Sequence, residues 1–244
     1  QLGSLSESGF DPLARTCKFM LTEEAHHMFI GTTGVQRVVT RTCQMMKDLK
    51  TDEPDKVRKA GAIDLQTMQR YLNFHYSVSL DLFGQELSTN AANYYTAGLK
   101  GRFEESKNED DHVLTGGVYN VTLFENEQIR ETEQDKLLAV NERLRDDYIA
   151  DCQIGVTRWN KVIKKAGFDF ELTLPHRGFN RHIGTFAGTR ISPQGKVLTE
   201  AEWTQHSNDW LPSTQDREFV RSLMTTATTE PGQFASWVAP PGRG

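Results

Sequence analysis

Two overlapping Glu-x-x-His pairs near the start of the chain have the residue types and spacing of a metal-binding motif. They lie in the sequence Glu23-Glu24-Ala25-His26-His27. Residues three apart on an α-helix share a face, so the carboxylate and imidazole of one pair could bind one metal ion. At about 100° per residue, an apolar stripe of the surrounding helix centres on Glu24, with His27 at its margin, whereas Glu23 and His26 point to the polar side. We therefore expect Glu24 and His27 to be the metal ligands. The apolar residues within about 60° of Glu24 are Leu13, Cys17, Met20, Leu21, Met28, Val35, Val38, Val39, Met46 and Leu49.

A carboxylate on an apolar helix face needs a partner, because an unpaired buried charge costs several kcal/mol. Carboxylate oxygen together with neutral imidazole nitrogen suits iron or manganese better than a soft metal. Gly31 follows His27 by one turn on the same face and leaves space for a ligand or substrate. The alternative is that Glu24 pairs with an arginine of another helix and that His27 is a hydrogen-bonded core histidine.

Three long helical regions would position this motif. The first begins at Asp11-Pro12, an N-cap residue followed by a proline suited to the first turn, and continues to Leu49. A second is expected over residues 65–103, although its middle alternates like a strand. A third is expected over 136–165, ended by Ala166-Gly167. The chain is thus predicted to be mainly α.

The other elements are shorter. A strand pair is expected over 118–129, turning at Glu125-Asn126, and a strand over 168–172. The Thr199 and Glu202 pair has the capping-box spacing of a short helix. Another helix is expected over 213–224. We predict a long-helix part over 1–166, with a short β insertion near 113–130, and a mixed, loop-rich part over 167–244.

Composition excludes several classes of protein. Of 244 residues, 37% are hydrophobic and 25% charged, which is enough for a packed core. The net charge of −5 gives no general attraction to nucleic acid or anionic membranes. The three cysteines lack metal or disulfide spacing, and no nucleotide-binding glycine motif occurs. The chain starts without Met and ends in a Pro-Pro-Gly-Arg-Gly sequence, so we expect it to be a segment of a longer protein.

Several further sequence segments, together with the motif, resemble those of the benzoyl-CoA 2,3-epoxidases, the di-iron oxygenase components of aerobic benzoyl-CoA degradation. The resemblance covers nearly the whole chain in order, and it is more specific than the Glu-x-x-His pattern alone. The phrases that carry it are residues 19–29, 71–77, 81–84, 144–148, 174–177, 179–181 and 234–241.

The resemblance implies part of a ferritin-like helical bundle with two iron ions. In that family, two Glu-x-x-His motifs and two further carboxylates hold the irons. Glu24 would be an iron carboxylate and His27 its imidazole partner. Residues 109–112 have the sequence of a second Glu-x-x-His motif but lie in a charged linker. The chain would correspond to the C-terminal half, with the remaining iron ligands outside it.

The resemblance also implies the reaction and its partners. The ring of benzoyl-CoA would be epoxidised with O2, and a separate NADPH-dependent flavin and iron–sulfur reductase would supply electrons. A cytoplasmic location, with no membrane or nucleic-acid partner, is expected. Coenzyme A carries phosphates that cations should contact, and the candidates are Lys100, Arg102, Arg177 and Arg181. The alternative for each is an ordinary surface charge.

Other functions stay open from the sequence. Within di-iron chemistry, the alternatives are a phenylacetyl-CoA-type epoxidase and a ferroxidase. A metal-free helical interaction protein is the alternative from a different class. Iron content of the longer protein, together with an assay of its products from benzoyl-CoA in the presence of a reductase, would separate these possibilities.

Overall fold

The structure is a computed structural model, and it describes residues 2–101 and 117–224. Arg102, the second motif at 109–112 and the phrase at 234–241 lie outside the described residues. The described part is mainly α, as predicted, with eight helices and one two-stranded sheet. The ferritin-like assignment stays a prediction. The elements are α1 (Leu2–Ser6), α2 (Asp11–Leu49), α3 (Pro54–Lys59), α4 (Leu65–Asp81), α5 (Thr89–Thr96), β1 (Val118–Glu125), β2 (Gln128–Asp135), α6 (Val140–Ala166), α7 (Glu200–Trp210) and α8 (Thr214–Ser222).

The long first helix is confirmed as α2, a single element of 39 residues. At about 1.5 Å per residue it is about 58 Å long. Pro12 occupies the first turn, where a missing N–H costs nothing. The N-cap is Phe10 and not the predicted Asp11, which is the first residue of the helix. The helix ends where Lys50 takes a left-handed conformation and the N–H of Thr51 donates to the carbonyl of Met46.

The main hydrophobic core lies between the C-terminal end of α2 and the elements α3, α4 and α6. Thr42 ties α2 to the loop before α4, because its hydroxyl donates to the Ile63 carbonyl at 2.6 Å. The buried members of this core are Val39, Cys43, Met46, Val57, Ala62, Leu65, Val156, Ile163 and Leu172. The core therefore holds one end of α2 firmly.

The second helical region is interrupted, contrary to the prediction of one helix over 65–103. Helix α4 ends at Asp81, Gly84 adopts a positive φ of 82°, and α5 starts only after its N-cap Ser88. A left-handed backbone suits glycine and breaks the helical hydrogen-bond pattern. The alternating stretch before the break is helical, as we favoured.

The β insertion is an antiparallel hairpin whose register pairs Val118 with Asp135. Its turn lies at Asn126 and Glu127, which both have positive φ. β2 continues to Asp135, six residues beyond the predicted end at 129. The sequence shows little sign of this because β2 has no buried side chain and is rich in charged and amide residues.

The region after α6 contains the predicted helices but lacks the predicted strand. Residues 168–172 form no strand and have no partner strand among the described residues, and a side chain satisfies the backbone of Leu172 instead. Asn160 accepts from the Leu172 N–H at 2.9 Å and donates to its carbonyl at 2.8 Å. The capping box at Thr199 and Glu202 is confirmed. No helix in the described part combines the length and apolar character needed to cross a membrane.

Candidate active site

Glu24 and His27 lie on successive turns of α2 with their donor atoms close together. Glu24 Oε1 is 3.5 Å from His27 Nδ1. The side chains are 42% and 61% exposed, respectively. Within 4 Å of the Glu24 carboxylate, the described residues place no arginine or lysine, so the alternative arginine partner is absent from this part of the chain. A carboxylate oxygen and an imidazole nitrogen are therefore available on one open face.

The expectation that Glu24 faces a closed interior is wrong for the described residues. The same stripe is buried at Val39 and Met46 but exposed at Met20 and Met28. The physical reason is coverage: α3 and α6 pack on the C-terminal end of α2, and no described element lies over the motif. The described residues contain no group of three or more His, Cys, Asp or Glu that could hold an ion. Metal binding by Glu24 and His27 stays a prediction.

An apolar cavity of about 600 Å³ begins one helical turn beyond His27. It lies between α2, α4, α6 and the segment after α6 that contains Leu172. Trp159 fixes the wall from α6, since its indole N–H donates to the Thr32 carbonyl of α2 at 3.3 Å. The cavity is lined by Ile30, Gly31, Gly34, Val35, Val38, Met68, Tyr71, Leu72, His75, Trp159 and Leu172.

Gly31 leaves space in this cavity, as the sequence predicted. A Cβ atom added at Gly31 or Gly34 would meet nothing within 4 Å. Sequence reasoning missed the opposite wall, where the rings of Tyr71 and His75 stack with centroids 6.1 Å apart. Their spacing of four residues on α4 was the available signal, because it places both rings on one face.

Of the four cations proposed for coenzyme A phosphates, Lys100 contacts an uncharged side chain and not a carboxylate. Its Nζ donates to Asn141 Oδ1 at 3.1 Å, and burial lowers the pKa of its ammonium group. Arg177 contacts Glu142 and Asp146, and Arg181 contacts Asp81 and Glu86. The guanidiniums of Arg177 and Arg181 are thus paired with carboxylates of this chain. Phosphate binding by these residues stays a prediction.

Arg177 and Arg181 belong to a buried ionic network centred on Arg145. The Arg145 side chain has no exposed surface, pairs with Glu142, and lies 3.6 Å from Glu86. It also donates to the carbonyls of Leu80 and Gly84, where α4 ends. Burial raises the pKa of the Glu142 carboxyl, against the lowering effect of the guanidiniums of Arg145 and Arg177.

The network joins the α4–α5 connection, α6 and the loop around residues 176–186. Asp146 accepts from the Tyr119 hydroxyl at 2.6 Å and pairs with Arg177. His176 lies beside this network, and its pKa is lowered by burial and by the positive charge of Arg177. Every carboxylate named in the cluster contacts a guanidinium, so these charges are paired within the fold.

Comparison with known proteins supports the resemblance seen in the sequence. No family model matches the chain. The chain is 58% identical over 244 residues to benzoyl-CoA oxygenase component B of Aromatoleum evansii. The alignment covers all of this chain and 51% of that relative, so the chain spans about half the length of the curated relative it matches. The resemblance is thereby confirmed along the whole chain.

Proposed function

We propose that this chain forms part of an oxygenase component that epoxidises the ring of benzoyl-CoA. The observation that carries this proposal is the similarity along the whole chain to a benzoyl-CoA oxygenase component B. The structure adds a carboxylate and an imidazole 3.5 Å apart on an open helix face. One atom of O2 would add across the ring 2,3 bond, and the other would leave as water with two electrons and two protons.

The donor chemistry of the motif fits iron. Glu24 supplies a hard oxygen and His27 a nitrogen, and they are held one turn apart by the hydrogen bonds of α2. Two iron ions, when bound, would supply the redox chemistry that activates O2. Because two donors do not complete such a centre, further ligands would come from the part of the protein that this chain does not span.

The residues of this chain would then bind and orient. Glu24 and His27 would hold iron, and the neighbouring apolar cavity would help to orient the ring. Lys100 is a candidate for a coenzyme A phosphate. The relative's designation as component B supports a partner component, for which we propose the NADPH-dependent flavin and iron–sulfur reductase.

The decisive experiment measures iron content and epoxidation in the full-length protein with Glu24→Ala or His27→Ala. Loss of a group that only hydrogen-bonds to a metal ligand costs about 10–100-fold, so loss of a direct ligand should lower turnover by more than about 100-fold and remove iron. Glu23→Ala and His26→Ala are matched controls, because Glu23 and His26 are the same residue types at the same spacing on the other side of α2. Retention of iron and epoxidation in both ligand variants would falsify the assignment.

A further inference from the structure

We infer that a groove between α4, the β1–β2 hairpin, α6 and residues 174–177 is a second ligand site, which takes a small uncharged molecule with an apolar body and an amide group. The observation that carries this site is the Tyr76 hydroxyl, which lines the groove without a hydrogen-bond partner among the described residues. Neither the Glu24–His27 pair nor the proposed thioester substrate is needed for it.

The groove is separate from the apolar cavity beside the motif. None of the described residues lines both, although His75 and Tyr76 are adjacent in α4. Successive residues of a helix point about 100° apart, so His75 lines the cavity towards α2 whereas Tyr76 lines the groove towards the hairpin. The groove has a volume of about 520 Å³, within the range of roughly 300–1,000 Å³ typical of ligand sites.

Tyr76 offers a hydroxyl group that the described fold leaves unused. The residue is only 5% exposed, and a buried hydroxyl without a partner costs free energy. Burial raises the pKa of its phenol, so the group stays protonated at neutral pH and can donate a hydrogen bond. The Tyr119 hydroxyl, by contrast, donates to Asp146 at 2.6 Å. A ligand oxygen in the groove would give Tyr76 the acceptor that the described residues do not supply.

Other polar groups of the groove are also hydrogen-bond donors. His176 Nδ1 accepts from the Gly178 N–H at 3.0 Å, so the proton of the neutral ring is on Nε2, which can donate. Burial and the positive charge of Arg177 lower the pKa of His176 and favour this neutral ring. The side-chain amide of Gln153, to which no described residue hydrogen-bonds, can donate and accept. A carbonyl oxygen near Tyr76 and an amide N–H near Gln153 would therefore both find partners.

The charges around the groove disfavour an ionic ligand. Arg177 already pairs with Glu142 and Asp146. A third carboxylate, that of Glu131, lines the groove from an exposed position. An anion would gain little from Arg177 and would be repelled by Glu131, and a cation would be repelled by Arg177. Apolar side chains form the rest of the wall and suit the hydrocarbon part of an uncharged ligand. These are Ile129, Ile149, Leu174 and Pro175.

The test follows binding of N-cyclohexyltrifluoroacetamide, an uncharged amide with an apolar ring, to the full-length protein by fluorine NMR. (Trifluoromethyl)cyclohexane, which lacks the amide, is the matched probe. We expect Tyr76→Phe to weaken amide binding about three- to tenfold, the effect of losing one hydrogen bond, and to leave binding of the matched probe unchanged. Equal weakening for both probes, no weakening for either, or no amide binding by the wild type would overturn the inference.

A pair of tryptophan variants tests whether the amide binds in the groove. Gln153→Trp places a large side chain in the groove, and Arg158→Trp places the same side chain at an exposed position of α6 that does not line it. We expect Gln153→Trp to abolish amide binding and Arg158→Trp to leave it unchanged. Equal binding by the two variants would place the amide elsewhere and contradict the site.

Urea denaturation of the same proteins separates a ligand site from a structural role of Tyr76. Because no described residue hydrogen-bonds to the Tyr76 hydroxyl, Tyr76→Phe should keep the unfolding midpoint of the wild type. Tyr119→Phe is the control and should lower the midpoint, since the Tyr119 hydroxyl is paired with Asp146. A lowered midpoint for Tyr76→Phe would mean that the hydroxyl supports the fold and would count against the site.

A competition experiment separates the groove from the site of the proposed substrate. Coenzyme A is added to the wild-type protein with N-cyclohexyltrifluoroacetamide bound, and we expect the amide to stay bound. Its displacement by coenzyme A would assign the groove to the thioester and overturn a second site, whether or not benzoyl-CoA is turned over. Retention of the amide supports the second site even if the proposed epoxidation fails.

Discussion

Two stretches of the same helix differ in how their apolar side chains are covered. Over residues 39–46, α2 buries its stripe against α3, α4 and α6. Over residues 19–38, which include the motif, most of the large apolar side chains are exposed. These are Phe19, Met20, Met28, Phe29, Ile30, Val35 and Val38. Helical periodicity therefore identifies a face that can be buried, but the elements that cover it are a separate property of the tertiary structure.

The same contrast separates two sets of charges. The Glu24–His27 pair is exposed and has donor atoms free for a ligand, whereas Arg145 and Glu142 are buried and paired with each other. Exposed ion pairs contribute about 0–1 kcal/mol, but removing one partner of a buried pair costs about 3–5 kcal/mol. The residues available to bind a ligand are thus different from the charged residues whose loss should destabilise the fold.

The largest effect should follow from breaking the buried network with Arg145→Met. The change leaves the Glu142 and Glu86 carboxylates short of a guanidinium inside the fold. We expect the free energy of unfolding to fall by about 3–5 kcal/mol. Urea denaturation of the 244-residue chain measures it. Arg158→Met, at an exposed position of the same helix, should change stability by at most about 0.5 kcal/mol. Equal losses for both variants would show that burial does not distinguish them.

The next test compares the same substitution, Met to Ala, at a buried and at an exposed position of α2. Met46 is 3% exposed and Met28 is 66% exposed. Met46→Ala should cost about 2–5 kcal/mol, because it removes buried surface and leaves a cavity. Met28→Ala should change stability by no more than about 0.5 kcal/mol. A thermal or urea unfolding series on the 244-residue chain decides this, and a large loss for Met28→Ala would mean that its surface is covered.

Locally encoded elements could be predicted from the sequence. The start of α2 follows from Pro12, and the start of α7 follows from the Thr199–Glu202 capping box, because residues within one turn determine both. The break at Gly84 was missed, although a glycine that can end a helix and the N-cap Ser88 that begins the next one are both local signals. The predicted strand over 168–172 is absent because the Leu172 backbone bonds to the Asn160 side chain of α6 and the Phe168 N–H donates to the Ile163 carbonyl.

The candidate site could be predicted only in part. Periodicity selected Glu24 and His27, and the structure places them together on one face. The sequence also pointed to Gly31 as a source of space. That Tyr71 and His75 line the same cavity depends on how α4 packs, which the sequence does not show. Pairing of Arg181 with Asp81 spans 100 residues, so no local signal could show that this cation is used internally.

A smaller effect should depend on pH and tests a second buried carboxylate. Asp216 pairs with Arg58 and Arg70. Burial alone would raise its pKa, but hydrogen bonds from Arg70 and Ser213 lower it well below 3.8. Because the folded pKa is the lower one, the stabilisation is complete above about pH 4 and is lost as the pH falls through the folded pKa.

Asp216→Asn should therefore cost about 1–3 kcal/mol at pH 7 and less at pH 3. Urea unfolding at the two pH values measures the difference. Asp209→Asn is the control, because Asp209 has a 70% exposed side chain on α7. If Asp216→Asn costs the same at both pH values, the carboxylate does not carry the acid-sensitive part of the stability.

The smallest effect on stability should come from the motif itself, and this makes its effect on iron interpretable. Because Glu24 and His27 are 42% and 61% exposed, Glu24→Ala or His27→Ala should change the free energy of unfolding of the 244-residue chain by less than about 1 kcal/mol. Urea denaturation beside the Glu23→Ala and His26→Ala controls measures it. A loss as large as that of Arg145→Met would mean that the pair supports the fold, and reduced iron binding would then reflect unfolding. A small loss combined with absent iron in the full-length protein would assign the pair to the metal, because an exposed pair that contributes little to folding can be removed without disturbing α2.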